Sequence, residues 1–413
     1  MEQYVIEQIK YGLRYVPSNL IRGSFMKKTA ADADAFRKKA GGTILGVCHP
    51  DDNFKQISDA HIGWVRFDIS FPYEKDGRIS GSYSSFKEKC ARYKENGFKI
   101  MAVTPYPNQF ISAGIDPVKQ LEKVCAVTKF LIEDLRGLID AVQITNEMGI
   151  PRFTIPLSMD EAARFIGAQA EAISAVKGDL LVGYNSAGPQ ADLHCKMKPY
   201  LKYFDYVGID IYIGCFANVG GFMWFFDAML KYLRSFTGKP ILLQEFGYIG
   251  SGKAKTPQEK KEILMRYGVS SPKEAKNNIS AFTERLPEGI RKYAMLVCPD
   301  ESRRWEFFFK SEFSNHLFCE LPKRTKIPGY EHTPEGQAKF FADIIPRFYK
   351  KMPFLCGEFI YCYADGERCY VCSQEDCPTE TKWGLVDVNG KEKPAYYAVQ
   401  KAFGDIKKDE GTL

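Results

Sequence analysis

No stretch of this sequence approaches the ~18 uninterrupted apolar residues of a membrane-spanning helix, so no helical span and no membrane partner are expected. No glycine-rich turn follows the first strand-like run, which argues against a doubly wound dinucleotide fold. The chain also shows no phosphate loop and no convincing Ser-His-Asp or Cys-His arrangement. Its net charge of +6 is small for 413 residues, and Lys and Arg are interleaved with Asp and Glu. That pattern describes a solvated mixed surface and gives no nucleic-acid signature. The first ten residues, Met1-Glu-Gln-Tyr-Val-Ile-Glu-Gln-Ile-Lys10, carry acids inside their apolar pattern, and no apolar core with a small-residue cleavage site follows. A signal peptide is therefore not expected, and the expected location is cytoplasmic.

What is present fits a globular protein with a large core: 45% hydrophobic and 26% charged residues. Eight apolar runs recur, at 42–48, 63–69, 98–104, 141–145, 179–184, 206–212, 240–245 and 357–363, each followed by a stretch with helical spacing. Such alternation implies parallel strands, and eight units imply closure into a (β/α)8 barrel. Residues 1–40 read as a helical lead-in, 41–403 as the barrel and 404–413 as a tail. The charged stretch 249–332 fits no single strand–helix unit. It reads as an insertion after the seventh strand, placed over the barrel mouth as a lid.

In a parallel barrel the carboxyl ends of the strands carry the chemistry. Asp140-Ala-Val-Gln-Ile-Thr-Asn-Glu147 is a short β-branched run that ends on an amide and a carboxylate. Pro240-Ile-Leu-Leu-Gln-Glu-Phe-Gly247 repeats the design and ends on Glu245. Either glutamate alone reads as a solvated strand-end residue. Two of them at strand ends are what retaining glycoside hydrolysis needs: one carboxyl as acid and then base, a second as nucleophile, roughly 5 Å apart. Arg66 lies inside the second run, where a buried cation needs a partner, and a structural pair with Asp68 or a neighbour would supply one. His49 follows the first run at the mouth, either to bind a hydroxyl or to fill a polar turn.

Three segments carry a family resemblance: Thr145-Asn-Glu147, Leu243-Gln-Glu-Phe-Gly247 and Trp383-Gly-Leu-Val-Asp-Val-Asn-Gly-Lys-Glu-Lys-Pro-Ala-Tyr396. Together with the strand spacing, the sequence resembles clan A of the glycoside hydrolases, with family 5-like and family 39-like members nearest. The resemblance implies a retaining β-glycosidase that needs no cofactor and takes a β-linked oligosaccharide or glycoside. It implies Glu147 as acid/base and Glu245 as nucleophile. It also implies Asn146 on the sugar 2-hydroxyl, Arg66 bonded to the nucleophile, and Tyr212 donating a hydrogen bond to it; Tyr212 otherwise reads as core. One departure stands out. Members of the clan place a tryptophan near the end of strand eight, where this chain has Tyr361-Cys-Tyr363. Either tyrosine is a candidate sugar platform, as are Trp383, Trp224 and Trp305. The departure keeps a second reading open, a carbohydrate-binding barrel without catalysis.

Of twelve cysteines, seven are scattered and read as small buried hydrophobes. Five cluster at 356, 362, 369, 372 and 377. Cys362, Cys369, Cys372 and Cys377 could hold a structural zinc, with free thiols or disulfides as the alternatives. A barrel hydrolase using a cysteine-bound metal is a third reading, disfavoured because no histidine is near in the sequence.

Overall fold

The computed structural model describes residues 3–24, 31–215, 223–311, 313–322, 326–375 and 377–411. Its centre is a closed barrel of eight parallel strands: β1 (Ile44–Cys48), β2 (Trp64–Asp68), β3 (Lys99–Val103), β4 (Ala141–Ile144), β5 (Leu181–Ala187), β6 (Tyr206–Ile211), β7 (Ile241–Phe246) and β8 (Leu355–Ile360). Each strand pairs with the next in sequence, and β8 pairs back to β1. Every residue of β1, β4, β6, β7 and β8 is buried. That follows from near-continuous Val, Ile and Leu runs covered by helices outside and filled by side chains inside. Most strand ends shift by a residue or two from expectation, and two larger shifts bear on the site. β5 runs on to Ala187, and β8 stops at Ile360, so Tyr361 to Tyr363 lie beyond the sheet.

The interior is filled from below by Tyr206 of β6. Its hydroxyl crosses the barrel to donate to the Val142 carbonyl (3.1 Å) and accepts from Gln244 Nε2 (2.9 Å). Gly183 on β5 makes room for this ring, since a Cβ there would lie 2.3 Å from it. Gln244 is the extra residue of a bulge in β7: Ile209 pairs with Leu243, but the next residue, Asp210, pairs with Glu245. Strict alternation would send Gln244 and Glu245 to opposite faces. The bulge lets Gln244 reach Tyr206 and Glu245 face inward one layer higher.

The helix Ala31–Ala40 caps the amino-terminal end of the barrel. Phe36 meets Tyr206 edge-on at 5.7 Å, and the Arg37 guanidinium donates to the carbonyls of Pro353 and Leu355. The helix Gln3–Ser24 packs beside the helix Met223–Thr237, where Ser235 donates to Asn19 Oδ1 (3.1 Å). Between β7 and β8 the described residues form seven helices: Pro257–Arg266, Pro272–Asn277, Ile279–Arg285, Glu288–Val297, Glu301–Lys310, Ser314–Phe318 and Pro334–Lys351. The last packs on the barrel through Phe340, Phe341 and Phe348. The others share a separate apolar core that includes Leu264, Phe282, Ile290 and Phe308, and the loop after β8 adds Cys369, Cys372 and Cys377 to it. No helix among the described residues is long and apolar enough to cross a membrane.

Candidate active site

The chain leaves β4 through two residues in the left-handed region, Thr145 (φ 56°) and Glu147 (φ 46°). A β-branched residue there is costly, on the order of 1–3 kcal/mol. Hydrogen bonds from β4 itself and from the segments beside it hold the turn. The Thr145 amide donates to Thr104 Oγ1 (3.1 Å), Gln143 Nε2 donates to the Thr145 carbonyl (2.7 Å), and the Glu147 amide donates to Asn185 Oδ1 (2.9 Å). The turn puts Asn146 and Glu147 side by side at the carboxyl end of the barrel, both buried.

Arg66 stands at the centre of the site, only 3% exposed. Its three guanidinium nitrogens donate to Gln143 Oε1 (Nε), Glu245 Oε1 (Nη1) and Asn146 Oδ1 (Nη2), each at 2.8 Å, and Nη1 also faces Cys48 Sγ at 3.7 Å. A buried cation is tolerated because every side of the fork is paired. Glu245 receives two further donors: Asn146 Nδ2 at 3.4 Å on Oε1, and the Tyr212 hydroxyl on Oε2. Both carboxylate oxygens therefore act as acceptors. Burial and the adjacent Glu245 charge raise the Tyr212 phenol well above its usual range, which keeps it a donor.

Glu147 has the opposite environment. Its carboxyl is buried, and the cation facing it, Arg152, is 3.9 Å from Oε2. Burial first, then the Glu245 charge, push it up to about 8 against the pull of Arg152 and Arg66. A third carboxyl, Asp210, is buried on β6 in register with Glu245. Asn185 Nδ2 donates to its Oδ2 (2.6 Å), while Oδ1 is buried with no hydrogen-bond partner among the described residues. Burial and the charges of Glu245 and Glu147 raise Asp210 well above the carboxylate range. The site thus pairs a cradled acceptor carboxylate with a carboxyl that keeps its proton at neutral pH. Such a pair can deliver a nucleophile and a proton to one bond.

No family model and no curated protein matches the chain. Solved structures do. The GH53 catalytic domain of Ignisphaera aggregans superposes with a TM-score of 0.53 at 18% identity, over 92% of this chain and 96% of that one. A glucosidase from Croceicoccus marinus superposes with a TM-score of 0.52 at 12% identity, over 88% of this chain and 68% of that one. The chain shares their barrel fold.

The structure brings Arg66, Asn146, Glu147, Tyr212 and Glu245 into one network and sets the other candidates around it. His49, in the left-handed region (φ 51°), is exposed at the mouth, with its ring edge-on to Tyr361 at 5.6 Å. Tyr361 is half-buried and edge-on to Tyr212 at 5.7 Å, placed to form one wall. Trp383 differs from expectation. It is 0% exposed, with its indole N–H on the Thr379 carbonyl (2.7 Å) and its ring packed against Tyr212 and Tyr361. It has no open face for a sugar and instead backs the two tyrosines. Tyr363 is likewise 0% exposed and bonds Gln56. Trp305 donates to the Pro272 carbonyl within the helical region between β7 and β8, and the Trp224 side chain lies outside the described residues. Gln143, Asn185, Asp210 and Arg152 belong to the site without having been singled out. Asp210 had a signal, an acid inside the apolar run Tyr206-Val-Gly-Ile-Asp-Ile. Among the proposed zinc ligands, Cys362 is misplaced: it packs in the barrel core with its thiol on the Ala364 carbonyl (3.2 Å), apart from Cys369, Cys372 and Cys377.

A cleft of about 410 Å³ lies at the opposite end of the barrel, lined by Lys39, Trp64, Lys99, Arg136, Asp140 and Lys177. None of the residues above borders it, and that end of such barrels serves stability.

Proposed function

We propose that this protein is a retaining glycoside hydrolase that acts on β-linked glycosides. One observation carries the reading: Glu245, held by Arg66, Tyr212 and Asn146, shares a buried site with Glu147, whose carboxyl burial and the Glu245 charge push up to about 8. In the first step Glu245 attacks the anomeric carbon while Glu147 protonates the leaving oxygen. The glycosyl–enzyme forms and the Glu245 charge is spent. The repulsion that raised Glu147 then falls, so Glu147, its proton already passed to the leaving group, stays ionised and can take a proton from the incoming water as base. Asn146 would bond the sugar 2-hydroxyl, an interaction that strengthens in the transition state. The half-buried Tyr361 ring and the exposed His49 would line the sugar's path. Residues 249–332 would frame the mouth as a lid.

The test is nitrophenol release from a panel of aryl β-glycosides, with the anomer of the first product followed by NMR. Turnover of one glycoside with retention, loss in Glu245→Ala, and azide rescue of that variant as the inverted glycosyl azide are expected. A protein inert to every glycoside and oligosaccharide that still binds sugar would sink the hydrolase and leave a binding barrel.

A further inference from the structure

We propose that Cys319, Cys369, Cys372 and Cys377 bind one structural zinc ion that ties the helical segment after β7 to the loop after β8. The four thiols are 4%, 0%, 0% and 0% exposed by residue and come from two distant segments. The Cys319 and Cys372 sulfurs are 3.9 Å apart. A tetrahedral zinc with Zn–S bonds of roughly 2.3 Å sets sulfur–sulfur edges of about 3.8 Å. The sulfurs of Cys319, Cys372 and Cys377 lie within 4.8 Å of one another, as do the donor atoms of His316, Cys369 and Cys377. Cys377 belongs to both sets, so the two sets adjoin at its sulfur. The Cys372 amide donates to Cys369 Sγ (3.4 Å), the N–H···S bond of a Cys-x2-Cys turn that supports a thiolate. His316 Nδ1 stands 3.7 Å from the same sulfur, with its Nε2 3.9 Å from Glu380 Oε1. We assign His316 to the support of Cys369 and not to the metal, because Thr379 Oγ1 also faces its Nδ1 at 3.3 Å.

Disulfides would resolve four sulfurs into two separate pairs, whereas here the Cys377 sulfur falls in both donor sets. No electron transfer is involved: zinc enters, and each thiol that ligates it releases a proton. Cys319 stands in the left-handed region (φ 47°), directly after the helix Ser314–Phe318, where the chain turns its thiol into the cluster.

The site reaches the barrel mouth through Tyr370, which lies between two of the ligands. Its hydroxyl bonds Arg152 Nη1, its ring faces the Arg152 guanidinium at 5.2 Å, and Arg152 faces Glu147. The metal would therefore fix one wall of the site while standing outside the chemistry.

The experiment is metal analysis of the purified full chain, after growth with zinc, alongside four variants. About one zinc per chain is expected in wild type, Cys362→Ser and His316→Ala, and at least a tenfold loss in Cys319→Ser and Cys372→Ser. A chelator should lower the unfolding temperature of wild type and leave that of Cys372→Ser unchanged. Should the cysteine variants fail to fold, cobalt-substituted wild type decides: a sulfur-to-cobalt charge-transfer band of four-thiolate intensity supports the site. Wild type without metal after zinc loading, an intact mass showing disulfides, or zinc that follows His316 instead of Cys319 overturns the proposal.

Discussion

Tyr212 donates to the Glu245 oxygen that Arg66 leaves free, so Tyr212→Phe removes one charge-assisted bond with little change in shape. Such bonds contribute roughly 1.5–3 kcal/mol. If Glu245 is the nucleophile, kcat should fall roughly ten- to hundredfold, with KM nearly constant, in steady-state assays on the best aryl glycoside. The second prediction concerns pH. Glu147 must carry its proton to act as acid, and it is held at about 8. The alkaline limb of activity should therefore fall as pH rises through this value. Arg152 favours the charged form of Glu147, so in Arg152→Met the alkaline limb of kcat/KM should move to higher pH. A limb that stays in place or moves down would contradict this. Arg66, Asn146 and Tyr212 were legible because they sit within or at the ends of runs that the pattern already marked. Asn185 was not, since the apolar pattern of the fifth run ends at residue 184. Arg152 and Tyr370 come from loops, and no periodicity records where two loops meet.

Glu245 can be a site residue only because β7 carries its bulge. The sequence shows two polar residues in succession, Gln244 and Glu245, and plain alternation would have turned one of them outward. The structure turns both inward, and Gln244 locks Tyr206. This layer depends on glycine. At Gly183 an alanine Cβ would fall 2.3 Å from the Tyr206 ring, which is held by hydrogen bonds to Val142 and Gln244. Gly183→Ala should therefore destabilise the protein by about 1–3 kcal/mol, read as a lower denaturation midpoint. An unchanged midpoint would mean the barrel floor repacks freely. Strand positions themselves were readable from buried Val and Ile runs. Their ends were less so, because hydrogen bonds with the neighbouring strand decide them.

Across the whole molecule, the second apolar core and the cysteine cluster were the least legible features. Cys362 is near Cys369 in sequence and Cys319 is far, yet the fold reverses the order, because the segment before β8 closes over the loop after it. Stability as a function of pH is also a property of the whole chain. Glu358 on β8 is 0% exposed, and neither carboxyl oxygen has a hydrogen-bond partner among the described residues. Burial alone lifts it from its ordinary 4.5 to about 8. The folded chain thus retains a proton that the unfolded chain releases between those values. By linkage, the stabilising effect of that proton is fully present below pH ~4.5 and is lost as pH rises through about 8. One such group contributes a slope of roughly 1.4 kcal/mol per pH unit. Glu147 and Asp210 add slopes of the same sign. Glu358→Gln cannot ionise, so denaturant titrations between pH 5 and 8 should show the variant losing less stability than wild type by about that slope. The two proteins should converge at the acid end, where Glu358 is neutral in both states. Parallel curves would mean that a partner meets the Glu358 carboxylate in the folded chain and that its burial is no reservoir of pH sensitivity.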